Sequence, residues 1–310
     1  MLVRIYEKLH QQSPFVHGFY AISSYSQLSL AKSMDAVSAG WSRMTWDGTA
    51  AVLNTTEQGG NEYRIPSGYE EVAAGIAHLN LSVFMDGQEL KELLASESGR
   101  AQAVQQIVQE LSRVYDKTSG NPYEGVTIDF EGLRASQKEA FSDFLRQLQA
   151  ALQKLDKQLF VCVPPVLTSS AYYDGYDCQV IGELADKVIL MAYGYGPQNM
   201  NGFIGTEYYK TAATAPIASV YTPVYPSTET VIKRLSQSDT ERGWSQTYQQ
   251  SYAIYRTEDG GRYFLWYQDD ASVQQALSAA RLLGVNGVSI WRLGTIPTAN
   301  TAWTWNGLLA

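Results

Sequence analysis

The stretch best equipped for chemistry is Tyr123–Leu133, YEGVTIDFEGL. Along a β-strand alternate side chains share one face. Thr127, Asp129 and Glu131 therefore point one way, and Ile128 and Phe130 the other. Carboxyl groups that share a face raise one another's pKa. One proton then stays available near neutral pH, which a general acid requires. If the strand belongs to a parallel barrel, Gly132 opens the loop at its C-terminal end and Glu131 stands on the rim, where barrel enzymes carry their catalytic groups. The structural alternative is a buried carboxyl pair held by Arg or backbone donors, because unpaired buried carboxylates are costly.

Such a strand needs neighbours. Strand-like runs fall at His17–Ser23, Ala39–Thr45, Asn80–Met85, Gly125–Phe130, Leu159–Val163, Lys187–Ala192 and Gly287–Trp291. Between several of them lie segments with helical periodicity. Val104, Ile107, Val108, Leu111, Val114 and Tyr115 make one apolar stripe, with Gly120 and Pro122 as its stop signal. Phe141, Phe144, Leu145, Leu148, Leu152 and Leu155 make another. Ser136-Gln137-Lys138-Glu139 before it reads as a capping box. Alternation of strand and helix predicts a parallel sheet with helices outside; a doubly wound sheet and a closed barrel both fit. No glycine-rich phosphate turn follows the first strand. No linker or repeat interrupts the chain, so residues 1–310 read as one domain. Gln246–Tyr267 departs from the rhythm. Two aromatic runs flank Glu258-Asp259-Gly260-Gly261, which predicts a small antiparallel hairpin inserted near the C-terminal end.

Bulk properties narrow the function. The chain has 310 residues, 45% of them hydrophobic, with 21 Tyr and 7 Trp. Tyr and Trp offer a flat apolar face and a polar tip, which suits sugar rings and equally suits an aromatic core. The formal charge of −8 and the lack of a basic stripe argue against nucleic acid. No apolar stretch is long enough to span a bilayer. Cys162 and Cys178 lack metal-type spacing, and Cys162 reads as a buried thiol in a strand. The three scattered histidines, His10, His17 and His78, argue against a zinc site or a His-based triad. The absence of a GxSxG elbow argues against a serine hydrolase.

EGVTIDFE resembles the DGxDxDxE signature of glycoside hydrolase family 18. Glu124, Gly125, Thr127, Asp129 and Glu131 occupy its positions, with Glu124 and Thr127 replacing the first two acids. This variant resembles the bacterial cell-wall and spore-cortex-lytic branch. ILMAY (Ile189–Tyr193) is similar to the family's MxY element and supplies Met191 and Tyr193. GVSIWRLG (Gly287–Gly294) is similar to its last strand, with Trp291 as the floor under a bound sugar. FLWYQDDAS (Phe264–Ser272) is similar to the stretch before the final helix. Gly194 stands where an Asp commonly follows the Tyr.

The resemblance implies a TIM-type (β/α)8 barrel, shortened or irregular around a seventh strand for which Ile217–Tyr225 is the candidate. It also implies retaining, substrate-assisted hydrolysis of β-1,4 bonds at N-acetylglucosamine, in peptidoglycan or chitin-like glycans. Glu131 would be the acid and base, Asp129 the partner of the acetamido N–H, and Tyr193 the donor to its carbonyl. Trp291, Met191, Thr127, Tyr20, Trp41, Trp266 and Tyr267 are the expected sugar contacts. No cofactor or metal is required. The partner would be a polysaccharide, with no nucleic acid and no membrane insertion. Location would be extracellular or in the cell wall, the signal segment being trimmed or upstream. The competing implication is a glycan-binding, non-catalytic barrel of the same family.

Overall fold

The computed structural model describes residues 15–20, 27–55, 75–114, 120–166, 173–192, 227–258 and 261–294. They group into two compact units. The first holds the described residues up to Met191 together with Asn286–Gly294, and the second Ala192 and those from 227 to Val285.

The first unit is a nearly closed parallel barrel. Its strands are β1 (Phe15–Tyr20), β2 (Ala36–Trp46), β4 (Leu79–Met85), β5 (Gly125–Phe130), β6 (Gln158–Val163), β7 (Lys187–Leu190) and β11 (Gly287–Ile290), in the order β11-β1-β2-β4-β5-β6-β7. A short β3 (Ala51–Leu53) pairs antiparallel with the end of β2. Every residue of β4 and β5 is buried, as expected when a parallel sheet is covered on one face by helices and curls around its own core on the other. The curl is visible inside. Phe15 and His17 of β1 meet the ring of Phe160 on β6 at 6.5 and 5.8 Å. The Lys187 ammonium of β7 lies 5.0 Å from the Phe15 ring. The expected strand at 217–225 lies outside the described residues.

The helices of this unit are α1 (Leu28–Ala31), α2 (Gly87–Ala95), α3 (Glu97–Ser112), α4 (Lys138–Gln153) and α5 (Cys178–Leu184). Phe141, Phe144, Leu145, Leu148 and Leu152 of α4 are all fully buried, the apolar stripe expected of an amphipathic helix. Phe144 stacks on Phe130 of β5 at 5.2 Å, so the outward face of β5 is clamped while the inward face carries the acids. Arg100 of α3 bonds Asp143 of α4 at 2.8 Å.

Two local expectations are corrected. The stripe ending at Tyr115 overran its helix: α3 stops at Ser112 and Val114 is 68% exposed. The Asn121 side chain ends it, donating to the carbonyls of Glu110 and Arg113 at 2.8 and 2.9 Å. These are carbonyls that a helix end leaves without partners. The capping box over 136–139 does not form. The chain enters α4 through a 3₁₀ turn at Ala135–Gln137, in which the Gln137 side chain accepts from the Arg134 N–H, and Glu139 pairs instead with Arg146 at 3.2 Å.

The second unit is a three-stranded antiparallel sheet, β8 (Glu241–Ser245), β9 (Gln250–Arg256) and β10 (Arg262–Tyr267), with helices α6 (Thr228–Leu235) and α7 (Asp270–Leu282). The hairpin of β9 and β10 matches the expected insertion, with Arg256 opposite Arg262. Strand β8 extends it. One face of the sheet packs Ala253, Tyr255 and Leu265 against Leu235 of α6. Asp269 caps α7: its side chain accepts from the Ser272 N–H while the Ser272 hydroxyl accepts from the Asp269 N–H.

Candidate active site

The alternation read from sequence is realised on β5. Ile128 and Phe130 are buried toward the helices, and Thr127, Asp129 and Glu131 rise along the barrel interior toward the C-terminal mouth. The backbone holds Glu131 there: its N–H donates to the Met85 carbonyl of β4 at 2.9 Å. Gly132 then takes φ 75°, a left-handed conformation that costs glycine little, so the chain turns off the strand directly after the acid. The hydroxyl of Tyr176 donates to the Phe130 carbonyl at 2.7 Å. Beside it Gly175 presses on the next loop so closely that a Cβ would come within 2.4 Å of the Leu133 carbonyl oxygen.

The two acids occupy different surroundings. Asp129 is 4% exposed, and its Oδ1 is buried with no hydrogen-bond partner among the described residues. Burial, and next the charge of Glu131, push its pKa up to about 7, while a hydrogen bond from the Cys162 thiol pulls the other way. Glu131 is half-buried, and burial followed by the nearby charge of Asp86 raises it above the ordinary carboxylate range. Cys162 lies on the inward face of β6 with its thiol pushed well up by burial and then by the adjacent acids. It is neutral and acts as a donor. A buried polar oxygen without a partner is the exception in folded proteins.

Aromatic rings line the same mouth. Trp291 follows directly on β11, is 39% exposed, and meets Phe19 of β1 at 5.1 Å and Trp41 of β2 at 5.8 Å, both edge to face. Trp41 in turn contacts Phe84 of β4 at 4.7 Å. Phe84 sits opposite Asp129 in the register of β4 and β5. The Arg43 guanidinium stacks over Phe84 at 4.8 Å and pairs with Asp86 at 3.0 Å. Met191 packs against the cluster of Phe19, Ala36, Phe160, Cys162 and Ile189.

The structure thus brings Asp129, Glu131, Trp41, Trp291 and Met191 to one end of the barrel. Thr127 lies lower and is fully buried, its hydroxyl bonded to Ser38 at 2.6 Å and Asn80 at 3.1 Å. Tyr20 is buried on the face of β1 opposite His17 and Phe19. Trp266 and Tyr267 lie on β10 in the second unit. Tyr193 lies outside the described residues. Sequence reasoning left out Cys162, Phe19, Phe84, Arg43, Asp86 and Tyr176. Cys162 read only as a buried thiol in a strand, and the cross-strand register that sets it beside Asp129 is not a sequence signal. Among the described residues no cluster of three His, Cys, Asp or Glu side chains could hold a metal ion, and no helix is long and apolar enough to cross a membrane.

The class of protein with this parallel barrel, two carboxyls and Trp291 at one end of it is a glycoside hydrolase, as the family match shows. The family model for Glycosyl hydrolases family 18 matches residues 79–295, well over half of the chain, and the chain belongs to that family. The cortical fragment-lytic enzyme of Bacillus subtilis (strain 168) is 23% identical over 213 residues, 59% of this chain and 49% of that enzyme; the chain therefore spans about half of that relative. Among solved structures, the spore cortex-lytic enzyme SleL of Bacillus megaterium QM B1551 superposes with a TM-score of 0.68 at 17% identity, covering 91% of this chain and 71% of that one. A class V chitinase from Pseudomonas fluorescens Pf-5 gives 0.69 at 20% identity, covering 95% and 98%.

Proposed function

We propose that this protein hydrolyses β-1,4 bonds at N-acetylglucosamine in cell-wall peptidoglycan or related glycans, with retention of configuration and with the substrate's own acetamido group as nucleophile. The observation that carries this reading is the pairing of a half-buried Glu131 with a buried Asp129 whose Oδ1 has no described partner, both at the mouth of the barrel. Glu131, raised in pKa by burial and by Asp86, holds the proton that the leaving oxygen takes; it then removes a proton from the incoming water. Asp129, on passing its proton to Glu131, accepts the acetamido N–H and, so ionised, stabilises the oxazolinium-like intermediate. Tyr193 is assigned the bond to the acetamido carbonyl. Trp291 offers its exposed face to the sugar ring, flanked by Trp41. Holding the internal nucleophile against the anomeric carbon is an orientation effect that can supply several powers of ten in rate.

Peptidoglycan is preferred over chitin because the acid motif, with Thr127 in place of an Asp, and the cortex-lytic relatives point the same way. Such a polymer lies outside the cytoplasm, and so does the proposed site of action. Digestion of purified peptidoglycan and of chitin oligomers, with mass analysis of the new ends, tests the reading. Release of fragments with N-acetylglucosamine at the new reducing end is expected. Tight binding of both glycans with no new ends would support a purely glycan-binding barrel instead.

A further inference from the structure

Beneath the two acids, one file of polar side chains crosses the barrel interior. It runs from Ser289 on β11 through His17 on β1, Ser38 on β2 and Thr127 on β5 to Asn80 on β4 and His78 in the turn before it. The contacts are 2.6 Å for Ser289 Oγ to His17 Nδ1, 2.8 Å for His17 Nε2 to Ser38 Oγ and 2.6 Å for Ser38 Oγ to Thr127 Oγ1. Asn80 Nδ2 lies 3.1 Å from Thr127 Oγ1, and His78 Nε2 lies 2.9 Å from Asn80 Oδ1. His17, Ser38, Asn80 and Thr127 are all buried, where an orphan polar hydrogen is costly.

We propose that this file is proton-ordered in one direction and that His17, as the neutral Nδ1–H tautomer, is a positioning residue which acts through Ser38 and Thr127 on the strand carrying Asp129 and Glu131. With the Asn80 amide nitrogen set toward Thr127 and its oxygen toward His78, the order follows from counting hydrogens. Asn80 donates its amide N–H to Thr127 and accepts from His78 Nε2–H. Thr127 then has its own hydrogen for Ser38, and Ser38 passes its hydrogen to His17 Nε2. His17 must therefore carry its proton on Nδ1 and donate to Ser289. In the other tautomer, or as imidazolium, His17 would donate to Ser38 and Ser38 to Thr127. The Thr127 hydrogen would then have no acceptor among the described residues. The hydroxyl at 127 is thus fully used below Asp129. A carboxylate there could accept but could not donate to Ser38, and would break the order. The surroundings keep His17 neutral. It is packed by Phe19 and Phe160 at 5.0 and 5.8 Å. Burial, then the neighbouring His78, hold its pKa far down, at about 3. The charges of Glu124, Asp186 and Lys187 reach His78, which stacks on Phe160.

The positioning role rests on the proposed hydrolysis; the proton order does not. Nitrogen-15 NMR of the imidazoles in the wild-type chain reads the order directly. The expected signature is a protonated Nδ1 and a bare Nε2 on His17, unchanged from pH 5 to 9. A protonated Nε2, or a titration within that range, overturns the proposal. For the positioning role, Thr127→Val is expected to lower kcat on the glycan about tenfold with KM little changed, and Thr127→Ser to restore most of that loss. Equal activity of Thr127→Val and wild type, or no recovery in a folded Thr127→Ser, rejects it. A wild-type chain that cuts no glycan would sink the hydrolase reading, and with it the positioning role, while leaving the NMR result to decide the proton order.

Discussion

Cys162 lies across from Asp129 on the adjoining strand, and its thiol donates to the Asp129 carboxyl. A neutral thiol is a weak donor, yet it is the hydrogen bond that opposes burial and Glu131 in setting how readily Asp129 ionises. Cys162→Ala removes the donor. The acid limb of the kcat/KM profile is expected to move to higher pH. Cys162→Ser supplies a stronger donor and is expected to leave that limb at or below its wild-type position. A pH–rate comparison of the three proteins checks this; identical limbs would show that the thiol does not tune Asp129.

Stability should carry the same signature. Asp129 has a folded pKa of about 7 against an ordinary 3.8. Between those values the folded state keeps a proton that the unfolded chain releases, so this group costs stability as pH rises through the window. His17 is opposite in sign. With a folded pKa of about 3 against 6.5, the unfolded chain takes up the proton, so stability falls as pH drops below 6.5. The two slopes oppose one another over nearly the same range. Asp129→Asn removes one of them. Urea melts from pH 7 down to 4 should then show the variant losing stability relative to wild type by up to about 1.4 kcal/mol per pH unit. Parallel curves would contradict the assigned burial of Asp129.

Trp291 is 39% exposed at the mouth. Its edge contacts with Phe19 and Trp41 fix the ring and leave a face open. Trp291→Ala is expected to weaken binding of an N-acetylglucosamine oligomer by about tenfold, the scale of one aromatic contact, with little change in melting temperature. Isothermal titration of a Glu131→Gln background measures the loss without turnover. Unchanged affinity would remove Trp291 from the site.

How much of this was legible beforehand follows from the range of each signal. The facing of Asp129 and Glu131 is a period-two property of one strand, readable from six residues. The burial of Phe141 to Leu152 is likewise local. The neighbours of Asp129 are not local. Cys162 reaches it through cross-strand register, and His17 meets Ser289 across 272 positions of sequence. Three scattered histidines argued against metal and triad chemistry, but nothing in their spacing placed both His17 and His78 against Phe160. The end of α3 was misplaced because Asn121, several residues downstream, supplies a stop that the apolar stripe does not encode.

The central claim is that Glu131 delivers the proton that breaks the glycosidic bond. It is tested most directly by the turnover of Glu131→Gln on a glycan the wild type cleaves, in a variant shown to melt as the wild type does. The expected result is a loss of about 10²–10⁴-fold in kcat with glycan binding retained. Wild-type turnover in Glu131→Gln would contradict it outright.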